Sequence, residues 1–129
     1  MKYLLLIAED PTLRVDATVA PAVTQAYADF AEAIAASGEL LGGERLHGVD
    51  MATSVRVRDG HTLATDGPFA ETKEHLGGYF VVDVADLDRA LELAAQLPAA
   101  RTGAVEVRAA GSWAASSRAR SRSATSTTK

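Results

Sequence analysis

The sequence predicts an α+β domain, an antiparallel sheet with two helices packed on one of its faces. Three observations lead there. Two short runs, residues 3–8 and 79–82, are almost continuously apolar and are bounded by charges or glycines, as buried strands are. Two longer stretches, residues 17–37 and 87–97, repeat their apolar residues at helical spacing. An Asp-Gly pair at 59–60 sits between two short strand-like segments, the signal of a type I′ hairpin turn.

Taken in order, Tyr3 to Ala8 is followed at once by Glu9, Asp10 and Pro11, which close a first strand. The run is too short to span a membrane and lacks the small-residue cleavage site of a secretory leader before its charges begin. Val19, Val23, Tyr27, Phe30 and Ile34 then follow at spacings of three or four and share one helical face, and Gly38 supplies the C-terminal cap. Leu40, Leu41 and Leu46 restore strand character over residues 39–47, made irregular by Gly42-Gly43. Val55 and Val57 alternate with Arg56 and Arg58, and past the turn the partner strand runs from His61 to Thr65. Gly77-Gly78 leads into Tyr79-Phe80-Val81-Val82. Asp86 is placed to cap a second helix striped by Leu87, Ala90, Leu91, Ala94 and Leu97, and Pro98 stops it. Val105 and Val107 alternate with Glu106 and Arg108 in a closing strand. The order β-α-β, hairpin, β-α-β is that of a ferredoxin-like sandwich. With helices on one face only, the continuous apolarity of residues 3–8 and 79–82 predicts that the second face is covered as well. A second copy of the chain is the simplest cover, so a homodimer is expected.

Composition narrows the function. The chain has 129 residues, 47% apolar and 23% charged, which suits one soluble domain with a real core. With no cysteine there is no disulfide framework, zinc–thiolate cluster or thiol nucleophile, and a cytoplasmic location is expected. The net charge of −4 is unevenly spread: all 17 acidic residues lie at or before Glu106, whereas Arg118, Arg120, Arg122 and Lys129 follow Gly111. The body is therefore acidic and a poor electrostatic match for nucleic acid. Residues 1–111 are expected to form the domain, and residues 112–129, rich in serine and arginine and without periodicity, a disordered tail.

Chemistry concentrates in Thr65-Asp66-Gly67-Pro68-Phe69-Ala70-Glu71-Thr72-Lys73-Glu74-His75. Gly67 permits unusual φ and Pro68 fixes the next residue, so Asp66 sits on a rigid turn. Three readings stand. Asp66 caps a short helix, Phe69 plugs the core and the charges are solvated. Alternatively, Asp66 or Glu71 is a polar anchor or general base facing a cleft. In the third, Glu71, Glu74 and His75 hold a metal, but the ligand set is incomplete, so no metal and no cofactor is expected. His47 follows an apolar strand and can face a cleft, whereas His61 beside the hairpin turn is expected to be exposed. Arg56 shares a strand face with Arg58 and can hold an anionic ligand. The candidate catalytic residues are Asp66, Tyr27 and His47; the candidate ligand contacts are Arg56, Phe69, Glu71 and Lys73. No phosphate loop, serine elbow or dinucleotide fingerprint is present.

The segments Asp66-Gly67-Pro68-Phe69, Glu71-Thr72-Lys73-Glu74 and Gly77-Gly78-Tyr79 resemble the signature of DGPF-motif proteins in the YCII-related family. Tyr27 with Phe30, Glu39-Leu40-Leu41, Ala90 through Pro98 and Val105 to Arg108 extend the resemblance over about residues 1–109. It implies a dimeric α+β-barrel. Enzymatic relatives use a His–Asp pair, including a dehydrochlorinase-like activity, and the helix position of that histidine corresponds to Tyr27 here, a departure from the pattern. Many DGPF-motif proteins are encoded beside extracytoplasmic-function sigma factors. The resemblance thus implies two alternatives, a small-molecule-binding or enzymatic homodimer, and a non-enzymatic accessory protein of sigma-factor-dependent transcription.

Overall fold

The computed structural model describes residues 1–10, 20–67 and 74–113. Its elements are β1 (Lys2–Glu9), α1 (Ala20–Ala36), β2 (Leu40–Arg45), a single 3-10 turn (Val49–Met51), β3 (Thr53–Arg58), β4 (His61–Asp66), β5 (His75–Asp83), α2 (Leu87–Ala95), α3 (Ala99–Thr102) and β6 (Ala104–Ala109). The main sheet has the order β2-β5-β1-β6, with every neighbouring pair antiparallel. This is the ferredoxin-like α+β fold that the element order predicts, with β3 and β4 inserted as a separate two-stranded sheet.

The period of two along β1 decides where the core lies. Tyr3, Leu5 and Ile7 are buried, and pairing puts Val82 and Phe80 of β5 and Val107 and Val105 of β6 on the same face. There they meet Phe30 and Ile34 of α1 and Ala90, Leu93 and Leu97 from α2 and its C-terminal end. Phe30 and Phe80 pack edge to face with ring centres 5.1 Å apart. Gly43 is explained by this contact: a Cβ there would lie 2.8 Å from the Phe80 ring and 2.7 Å from the Tyr79 carbonyl oxygen. Packing thus requires glycine at Gly43 but not at Gly42, and the irregularity foreseen there is a register shift between Leu40 and Gly42.

The turn chemistry read from the sequence is present. Gly38 has φ +82°, its N–H donates to the Ala35 carbonyl, and the Glu39 N–H donates to that of Ile34, closing α1 with a Schellman motif. Asp59 and Gly60 both have positive φ, 51° and 77°, as a type I′ turn requires. Asp86 caps α2 by accepting from the Arg89 N–H at 3.0 Å.

Two details differ from the sequence reading, and a third adds to it. The strand expected from Tyr79 begins at His75, so Gly77 and Gly78 lie inside β5, where the pairing to β1 shifts register. Pro98 ends one helix but also begins α3, because a proline is preorganised for a first helical turn. In the hairpin the valines do not face a core: Val55 and Val57 are 64% and 60% exposed, and Arg56 is half-buried. Alternation fixes which residues share a face but not whether anything covers it, and the hairpin makes no extended packing with the main sheet or helices. Among the described residues no helix is long and apolar enough to cross a membrane. Apart from Ser112 and Trp113, the serine- and arginine-rich tail lies outside the described residues.

Candidate functional site

The antiparallel register gives the sheet two distinct ends. Lys2, Leu40, Asp83 and Ala109 mark one; Glu9, Arg45, His75 and Ala104 mark the other. The second, called here the loop end, collects the start of α1, the segment after β2, the root of the hairpin, and α3.

Tyr27 lies on α1, half-buried, and its hydroxyl accepts a hydrogen bond from the Ala99 N–H at 3.2 Å. Burial pushes its phenol above the ordinary value of 10, the Ala99 bond acts in the opposite direction, and the negative charge of Glu9 adds to the rise. Tyr27 is therefore a neutral hydroxyl at neutral pH that braces α3 as acceptor and keeps its own proton to donate. The Glu9 carboxylate lies over Gly77, where a Cβ would come within 2.6 Å of it, and Glu74 reaches toward Gly103. His75 sits opposite Glu9 in the β1–β5 pairing and is half-buried.

His47 is exposed just beyond β2, where Arg45, Leu46, His47 and Gly48 line a cleft of about 310 Å³. The Leu46 N–H donates to the Gly77 carbonyl at 3.0 Å, so the backbone between Arg45 and His47 is anchored to β5. Tyr27, Arg56 and Asp66 are not among the described residues lining this cleft. Asp66 ends β4 at the hairpin root, paired with Thr53; the next residue, Gly67, donates to the Ala52 carbonyl at 2.7 Å and accepts from the Ser54 hydroxyl at 2.7 Å. The end of β4 that carries Asp66 is thus fixed by hydrogen bonds, while the Asp66 carboxylate is exposed and has no hydrogen-bond partner among the described residues. Arg56 lies mid-hairpin across from Leu63, and His61 is exposed beside the turn. Phe69, Glu71 and Lys73 lie outside the described residues. Among the described residues no group of three or more His, Asp or Glu side chains is arranged to hold a metal ion.

Of the cleft residues, Arg45, Leu46 and Gly48 are absent from the sequence candidates, and Arg45 is the charged one among them. A signal for it existed: Arg45 and His47 are two apart beside a strand, so an extended backbone points both to one side.

A ferredoxin-like sheet with one face that no described helix covers and a polar cleft at its loop end defines a small α+β domain. The sequence model of the YCII-related domain matches residues 1–114, and the chain belongs to that family. It is also similar to an uncharacterized protein of Rhizobium meliloti (strain 1021), 45% identical over 74 residues; the match covers 56% of this chain and 60% of the relative's length.

Proposed function

We propose that this chain is a DGPF-type member of the family that works in the cytoplasm as a homodimer, binding a small molecule at the loop end of the sheet. Residues 1–111 are the functional unit in this reading. Asp66, Tyr27 and His47 supply polar or acid/base groups, and Arg56, Phe69, Glu71 and Lys73 supply ligand contacts, without a cofactor. The observation that carries the reading is the half-open cleft of about 310 Å³ lined by Arg45, Leu46, His47 and Gly48, a volume within the range of about 300–1,000 Å³ usual for small-molecule sites.

The dimer is supported by the sheet face that no helix among the described residues covers. Leu4, Leu6, Ala8, Leu76, Tyr79 and Val81 share it by register. Lys2, Asp83, Glu106 and Arg108 stand around this apolar centre with both charge signs, which suits an isologous contact in which each patch meets its own copy. Each large side chain taken fully out of water there contributes about 1.5–3 kcal/mol. Light scattering at micromolar concentration is expected to give about twice the 13.5 kDa chain mass; a clean monomer rejects the dimer.

For the site, the test is Asp66→Asn with a fragment screen read by NMR. An exposed side chain changed isosterically should alter stability by no more than about 0.5 kcal/mol, and loop-end binding should be lost. Unchanged binding would make Asp66 structural. A second reading, an accessory protein for sigma-factor-dependent transcription, is favoured by one observation, the exposed Val55 and Val57 of the hairpin. It gains if the dimer binds no fragment and hairpin substitutions abolish a protein contact.

A further inference from the structure

The chemistry of the cleft wall identifies the class of ligand. We infer that the site takes a small molecule with an oxyanion head group, carboxylate or phosphate, gripped by Arg45 and His47; the inference rests on the small-molecule reading above.

The wall brings together a planar fork of N–H donors and an imidazole, with Gly48 beside them and Leu46 as the apolar member. A guanidinium matches two oxygens of a carboxylate or phosphate at once, which is why arginine marks oxyanion sites. The fork is uncommitted: Arg45 makes no ion pair with any described residue, although Glu44 precedes it in the chain and the Asp50 carboxylate lies against Gly48. Two other arginines of the described fold are used internally, whereas Arg101, like Arg45, makes no ion pair with a described residue. Arg89 is held by Glu39 and Glu92, and Arg108 by Glu106. The backbone that carries the pair is also held. Leu46 between them is bonded to Gly77, and Gly78 lets β2 lie close, since a Cβ there would stand 2.9 Å from the Glu44 carbonyl oxygen. A backbone held before binding leaves less freedom to be lost on binding. The cleft volume of about 310 Å³ admits a ligand the size of a substituted benzene ring.

The experiment is an NMR titration of the full-length protein, labelled with nitrogen-15, at constant ionic strength. Three probes are used separately: benzoate, inorganic phosphate, and benzamide as the neutral isostere of benzoate. Benzoate or phosphate should shift the Arg45 Nε–H and Gly48 amide signals saturably, and benzamide should not. Benzoate alone marks a carboxylate ligand; phosphate alone, a phosphorylated one. Arg45→Gln should weaken the bound anion by about tenfold or more, and Arg45→Lys should restore only part of the loss because it keeps charge without the fork. Because Arg45 is exposed, both variants should keep the parent spectrum elsewhere. Equal binding of benzamide, or parent-like anion binding by Arg45→Gln, overturns the oxyanion assignment while leaving a small-molecule site standing. If neither the anions nor a neutral fragment mixture moves the loop-end signals, the inference and the underlying functional reading both fall.

Discussion

The two ends of the sheet are built on opposite plans. At the end marked by Lys2 and Asp83 the polar groups are spent on one another. The chain's amino terminus donates to the Asp83 carboxylate at 3.0 Å and to the Val84 carbonyl at 2.6 Å, and the Val84 N–H returns to the Met1 carbonyl. Arg89 on α2 forks onto both oxygens of Glu39, at 2.8 and 2.9 Å, while Ser37 donates to the same carboxylate at 2.7 Å. The Glu39 backbone carbonyl also accepts from Asp83. That end is a clamp joining α1, α2, β2 and β5. At the loop end, the side chains of the cleft residues Arg45 and His47 make no bonds inside the described fold, and the Asp66 carboxylate stands at the anchored end of β4 without one. Side chains consumed by the fold stabilise it; side chains not consumed, on a backbone that is anchored, are available to a ligand.

Substitutions can break this contrast at several levels. Leu5 is fully buried in a central strand and supports both ends, so Leu5→Ala should cost about 2–5 kcal/mol in denaturant unfolding. A much smaller loss would mean that the sheet and helices do not share one tight core.

The clamp has a pH signature. The hydrogen bonds from Arg89, then that from Ser37, hold the Glu39 carboxyl well below its ordinary 4.5, at about 2. A carboxyl whose folded value is depressed contributes stability that is fully present above about 4.5 and lost as pH falls toward 2. Glu39→Gln should therefore lower stability at pH 7 and flatten the acid limb of the stability profile. A parent-like acid limb would show that the pair contributes nothing, as many exposed ion pairs do.

Tyr27→Phe removes the acceptor of the Ala99 N–H and should cost about 0.5–1.5 kcal/mol. Because the folded phenol value is raised, the parent should lose stability as pH climbs past 10 through that raised value, and the variant should lose less. The smallest effect belongs to the hairpin. Val57→Thr, at a position 60% exposed, should change stability by less than about 0.5 kcal/mol in a monomer. A larger loss would show that the hairpin is covered in the assembled protein.

The clamp and the cleft were not equally legible in the sequence. Strands and helices followed from local rules: the spacing of Val23, Tyr27, Phe30 and Ile34, the glycine after α1, and the Asp-Gly turn each act over a few residues. The place of Gly77-Gly78 within β5 did not, since a strand interior is a poor place for glycine unless a bulge or close neighbour demands it; here the demand comes from Glu9 and Glu44, remote in sequence. For the same reason the Glu39–Arg89 clamp, between residues 50 apart, was invisible. His47 was singled out and Arg45 was not, because a charged residue at a strand end is solvated by default. Its lack of an internal partner is a property of the folded chain. The hairpin valines show the limit of patterning, which orders residues by face and cannot name what lies against that face.

The central claim, that binding belongs to the loop end and stability to the clamp, is tested most directly by mapping a mixed library of neutral and charged fragments onto the backbone amide signals of the intact protein. The account predicts saturable shifts that cluster at residues 45–48, around Tyr27 and at Asp66–Gly67, with Met1, Glu39 and Arg89 unmoved. Shifts centred on the clamp, or no loop-end response to any fragment, would contradict it.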